Sequence, residues 1–111
     1  MTKQEFEMKA AEILDMIESR LARKGDEYAN DPDRFINFKW ITQLDGYGTP
    51  EQKLLTLFNK HQSVISYKWI VDGILPSIDE LYERVIDNIV YYIILLNILE
   101  EKIHMVKENG N

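Results

Sequence analysis

Phe6, Ala10, Ile13, Ile17 and Leu21 recur three and four residues apart, the spacing of one face of an α-helix, with Glu and Lys filling the other faces. Thr2 and Glu5 stand just ahead of that stripe as Thr-x-x-Glu, a capping box in which hydroxyl and carboxylate satisfy the first free backbone N–H groups. The spacing predicts a helix from Thr2 to about Lys24. Gly25 either ends it as a left-handed cap or is carried inside a helix that reaches Tyr28. Asp31-Pro32 then places a carboxylate at a cap and proline at the first helical position, which predicts a short second helix. On it Ile36, Trp40 and Leu44 share one side and Phe35 and Phe38 another, before Asp45-Gly46-Tyr47-Gly48 breaks the pattern.

Thr49-Pro50-Glu51-Gln52 joins a Thr cap, proline at the first position and Gln three residues on, the strongest start signal in the chain. Leu54, Phe58, His61, Ile65, Trp69 and Asp72 follow on one line at helical spacing, so His61 is expected to face inward, and Gly73 and Pro76 close the helix. Ser77-Ile78-Asp79-Glu80 reads as another capping box, opening a helix to about Val106 with a frayed tail at 108–111. Between Ile86 and Leu99 this last helix is apolar nearly all round, so it is expected to sit centrally and against a second subunit. No alternating strand pattern appears. The expectation is an all-α, four-helix bundle with one short helix, a single domain over 1–107, dimeric through its last two helices.

Composition narrows the functional classes. The 111 residues include no cysteine, so disulfides and thiolate metal sites are unavailable, and the polar start Met1-Thr2-Lys3-Gln4-Glu5 does not resemble a secretory leader; a cytoplasmic protein is expected. The longest apolar run, Ile89 to Leu96, falls far short of the roughly 20 residues that span a bilayer, so no membrane partner is expected. A net charge of −6 opposes duplex nucleic acid as a ligand, since neutralising phosphates needs a basic face.

The candidate chemistry lies in four places. Asp79, Glu83 and Asp87 are spaced by four on the last helix, with Glu80 alongside, and Glu83 with Asp87 is the pair best suited to a divalent cation. Against this, Asp79 and Glu80 simply favour the positive end of the helix dipole, and Asp87, on the line to Tyr91 and Leu95, needs a partner that Arg34, Lys60 or His61 can supply. His61 suits proton transfer or phosphate binding, with Lys60 beside it as a point charge; a hydrogen-bonded core histidine and a solvated lysine are the plainer alternatives. Tyr28, Phe35, Phe38 or Trp40 can stack on a base whose edge Asp33 or Asn37 bonds, although aromatics at helical spacing, as Phe35, Phe38 and Trp40 are, usually pack in a core. The serines stand outside any nucleophile elbow, and no phosphate-binding glycine loop is present.

Taken in order, the run from Lys24 to Phe38, Thr49-Pro50-Glu51, Lys60-His61 and Glu83-x-x-x-Asp87-x-x-x-Tyr91 resemble a family of small uncharacterised bacteriophage proteins. At longer range the arrangement is similar to MazG-type all-α nucleoside triphosphate pyrophosphohydrolases, helical dimers that use magnesium. In that pattern one helix gives Glu-Glu-x-x-Glu and the next Glu-x-x-Asp. Here Glu83 and Asp87, one residue further apart, correspond to the second half, while Lys60 and His61 stand in a helix without acids between Gln52 and Val71. The resemblance implies magnesium at Glu83 and Asp87, and Asp26, Glu27, Asp31 or Asp33 can complete that site if the first connector folds over the last helix; a nucleotide is then expected at Tyr28, Asp33, Arg34 and Asn37, with His61 and Lys60 in the catalytic positions. The competing expectation is a non-catalytic accessory protein, also a homodimer, that binds a host or phage protein.

Overall fold

The computed structural model describes residues 1–27 and 48–110. Every regular element among them is helical: α1, Lys3–Glu27; α2, Pro50–Ser63, which passes into a π-helical stretch, Val64–Val71; and α3, Ile78–Gly110. The chain divides into two compact units, Met1–Arg34 and Phe35–Asn111. The expected short helix after Asp31-Pro32 lies outside the described residues, as do Tyr28, Asp33, Arg34 and Asn37.

In the first unit the capping box forms as read. Thr2 Oγ1 accepts from the Glu5 N–H at 3.1 Å, and the Glu5 carboxylate accepts from the Thr2 N–H at 3.1 Å. Gly25 lies inside α1, which runs on to Glu27. Of the apolar stripe Ile17 is buried, and Ala10, Ile13 and Leu21 are partly so, whereas Phe6 is exposed.

The described part of the second unit is a helical hairpin. At the start of α2, Thr49 Oγ1 accepts from the Gln52 N–H at 3.3 Å and Gln52 Oε1 accepts from the Thr49 N–H at 2.8 Å, with Pro50 at the first position. Gly48 enters this cap at φ +68°, and a β-carbon there would press on Gln52 Oε1. Gly48→Ala therefore adds backbone strain and displaces the capping side chain. It is expected to destabilise by about 1–2 kcal/mol, at least as much as Thr49→Ala, in urea unfolding followed by circular dichroism.

α2 does not stay α-helical to Gly73. From Val64 the hydrogen bonds lengthen to the π pattern, ending with the Asp72 N–H on the Tyr67 carbonyl at 2.9 Å, and Gly73 at φ +70° lets the Ile74 N–H reach the Lys68 carbonyl. The wider winding bends the apolar line. Trp69 stays buried, but Asp72 becomes an exposed cap residue instead of an inward one.

α3 begins with half a capping box. Ser77 Oγ accepts from the Glu80 N–H at 3.1 Å, but the Glu80 carboxylate turns to the Arg84 Nε at 3.1 Å, where a charge-assisted bond is stronger than one to a neutral backbone N–H. α3 continues past Val106 because nothing before Gly110 breaks it. Its inner side packs on α2, with Leu54 and Ile98 buried together among Leu57, Tyr91, Ile94 and Leu95, and the Phe58 and Tyr92 rings edge to face at 4.5 Å. Ile86 and Val90, one turn apart, are buried, and so is Asn88 on the opposite side, so α3 is covered on two opposite sides there. Beyond it the cover opens, and Tyr92 and Leu96 are exposed.

Candidate functional site

His61, in the last turn of α2, faces α3 across the hairpin and meets a row of side chains one helical turn apart. Its Nδ1 lies 3.2 Å from an Arg84 guanidinium nitrogen, and its Nε2 lies 3.6 Å from Asp87 Oδ2. Arg84 is held from behind by Glu80 at 3.1 Å, and the Tyr91 ring stacks on the imidazole at 6.1 Å and 19°. Spacing by three and four on α3 is what lines up Glu80, Arg84, Asp87 and Tyr91 on one face. His61 and Asp87 side chains are only 16% and 17% exposed.

Burial is the main influence on His61 and pushes its pKa below the usual value; Asp87 opposes this, Arg84 and Lys60 reinforce it, and Glu83 opposes it weakly. The imidazole is therefore neutral at neutral pH. Guanidinium can only donate, so Nδ1 must be the accepting nitrogen and Nε2 carries the proton toward Asp87. At 3.6 Å that contact is electrostatic rather than a full hydrogen bond. Arg84 therefore occupies the imidazole lone pair. A histidine in this state ties two helices together and has no lone pair left to take a proton from a substrate.

Among the sequence candidates, the structure joins His61 to Asp87 and leaves Lys60 and Glu83 exposed. Glu27 closes α1 in the other unit. Among the described residues no three His, Cys, Asp or Glu side chains gather closely enough to hold a metal ion. Two groups escaped the sequence reading. Arg84 was the obvious cation on the right face, and its spacing of four from Glu80 and three from Asp87 was the available signal. Asn88 is 5% exposed, with neither amide atom bonded, and the Trp69 indole N–H is likewise buried and unpaired; each such group costs roughly 1–3 kcal/mol.

A second concavity, about 320 Å³, opens where α2 begins, between Pro50 and Glu51 on one side and Ile98, Lys102 and Met105 on the other. Two of its three charged residues, with Glu101 the third, pair with each other, Lys102 Nζ to Glu51 Oε1 at 2.6 Å, and that bond draws the Glu51 pKa down against the opposing effect of burial. What remains of its wall is largely hydrocarbon.

The described fold thus defines a helical protein in which polar side chains are spent on joining α2 to α3. No helix among the described residues is long and apolar enough to cross a membrane. Comparison with protein-family models, curated proteins and solved structures finds no match to this chain.

Proposed function

We propose that the chain acts as a non-catalytic interaction module, a helical scaffold that docks another protein on apolar side chains. The observation that carries this is the amount of hydrocarbon left in water. Around the turn between α2 and α3, Tyr67, Ile70, Val71, Ile74, Leu75 and Ile78 are each more than half exposed, and further side chains of this kind continue along the second half of α3. Scattered apolar residues are ordinary on a surface, but a contiguous group is characteristic of a partner site. The resemblance to small phage proteins suggests a host or phage protein as one such partner.

The magnesium and nucleotide reading has less support. Its described half offers Glu83 on the surface and Asp87 engaged with a neutral His61 whose lone pair is taken. It would need the acids and aromatics of 26–37 to complete the site, together with a base other than His61.

Photo-crosslinking separates the two. A photoreactive residue at Leu75 or Leu96 is expected to give adducts with a different protein in cells expressing the chain, since self-adducts fit both readings, while one at exposed Glu83 gives none. Absence of adducts at both apolar positions, with magnesium-dependent heat on titration with nucleoside triphosphates, would overturn the module in favour of the nucleotide site.

A further inference from the structure

The concavity beside the start of α2 lies at the opposite end of the hairpin from the apolar corner that follows Val71. Its volume of about 320 Å³ falls within the roughly 300–1,000 Å³ of pockets that take small molecules. Among the described residues its hydrocarbon wall is made by Pro50, Ile98, Met105 and the stem of Lys102. Ile98 is 9% exposed and Met105 53%, so that wall runs from the α2–α3 core out to solvent. The Met105 thioether is soft and unbranched, and it adapts to an aromatic ring as readily as to an alkyl chain.

The polar groups of the same wall decide what kind of molecule suits it. Glu51 and Lys102 neutralise each other at 2.6 Å. The start of α2 has no donor to spare there: Pro50 carries no N–H, the Thr49 and Gln52 N–H groups are bonded within the capping box, and the Glu51 N–H faces its own carboxylate. Glu101 is different. It is exposed and forms no ion pair among the described residues, because His104, one turn along, lies against Glu100 at 3.7 Å instead. An anion therefore meets an unpaired carboxylate and no unpaired cation, while a neutral ligand leaves Glu101 unused. The charge that complements this wall is positive.

We infer that this concavity binds a small hydrophobic cation, a molecule with an aromatic or alkyl body that ends in an ammonium group. The body lies against Pro50, Ile98 and Met105, and the ammonium reaches Glu101. Burial of the body supplies most of the affinity, since apolar area removed from water is the dominant favourable contribution to such binding. Glu101 is solvated, so its attraction is modest and acts on selection: it separates an amine from an alcohol or an acid of the same shape. Glu51 and Lys102 contribute by being already paired, which leaves no lysine charge to repel the ligand's own. This site is independent of the interaction-module reading, which uses the corner after Val71 and the exposed side of α3 at Leu96.

Titration of the full chain with phenylbutylamine, phenylbutanol and phenylbutanoate, followed by the methyl NMR resonances of Ile98 and Met105, tests this. The amine is expected to shift both resonances with a Kd of about 1 mM or tighter. The alcohol should bind about 3- to 5-fold more weakly, and the acid more weakly still. Glu101→Gln should bring the amine and the alcohol together without changing the alcohol, and Met105→Ala should weaken both. Each variant alters an exposed side chain, and unchanged circular dichroism verifies that the helices persist. Equal binding of amine and alcohol to the wild type, or an amine preference that survives Glu101→Gln, would overturn the cation. No shift with amine at roughly ten times that Kd, or resonances that move only when the chain itself is diluted, would overturn the site, the latter because a second copy then fills the groove.

Discussion

Leu54→Ala is expected to lower the thermal unfolding midpoint by roughly 10 °C or more, the larger of two effects that the α2–α3 hairpin makes available. Leu54 is 1% exposed and packs on Ile98 among Leu57, Tyr91, Ile94 and Leu95. Truncating it removes the transfer energy of the lost carbons and leaves a cavity that two helices tied at Glu51–Lys102 and His61–Asp87 cannot readily close. Such replacements cost about 2–5 kcal/mol, a large share of the 5–15 kcal/mol that holds an ordinary domain together. Leu55→Ala, one residue along and half exposed, serves as the internal control and should cost far less. Equal losses at the two positions in thermal circular dichroism would mean that Leu54 is not the centre of this core.

The second effect is on the imidazole. Arg84→Met keeps a side chain of similar length but removes the donor to His61 Nδ1 and the partner of Glu80, which should cost about 1–3 kcal/mol. It also removes one of the cations that depress the His61 pKa, so that pKa should rise. Asp87→Asn removes the carboxylate that opposes the depression, so there the pKa should fall further. Opposite shifts of the imidazole resonance in NMR titrations are the signature.

Stability against pH follows with a definite sign. The folded pKa of His61 lies below its unfolded value of about 6.5, so the unfolded chain takes up the proton first. The stabilisation is complete above that unfolded value and is lost as pH falls through the folded pKa. Protonation would also set an Nδ1–H against the Arg84 guanidinium. Asp87→Asn should deepen the acid-side loss and Arg84→Met should reduce it. Identical pH profiles in both variants would show that His61 is not coupled to this row.

The parts of this structure that are local in sequence could be read directly. Thr2, Thr49 and Ser77 each announce a helix because a hydroxyl and its N–H partner lie three residues apart, and the structure contains all three starts. Asp87 could be seen to need a partner, and His61 was among its candidates. Choosing between them required the rotation of α2 against α3, which periodicity does not give; the same ignorance hid Arg84, whose bond to His61 spans 23 positions. The Glu80 carboxylate was assigned to the Ser77 cap because that bond is local, whereas a guanidinium one turn on outbids it. The π-helical stretch was invisible for a different reason. Val64–Val71 carries apolar residues that suit either winding, and the hydrogen-bond register leaves no mark on composition. The apolar belt from Ile86 to Leu99 announced a covered segment, and Ile86, Val90 and Ile98 are buried, but counting apolar residues did not reveal that one side opens at Tyr92 and Leu96.

The long reach of α3 also sets the order in which the hairpin can be assembled during synthesis. α2 is synthesised before Ile98 and Lys102, so Leu54 and Glu51 must wait for their mates. Closure can start at the tight corner near Gly73 and Ser77, where chain ends are near, and zip outward, with the Glu51–Lys102 clasp fastening last. Until then the nascent chain shows more hydrocarbon than the finished one, and a stall just after Val90 would leave α2 without its core.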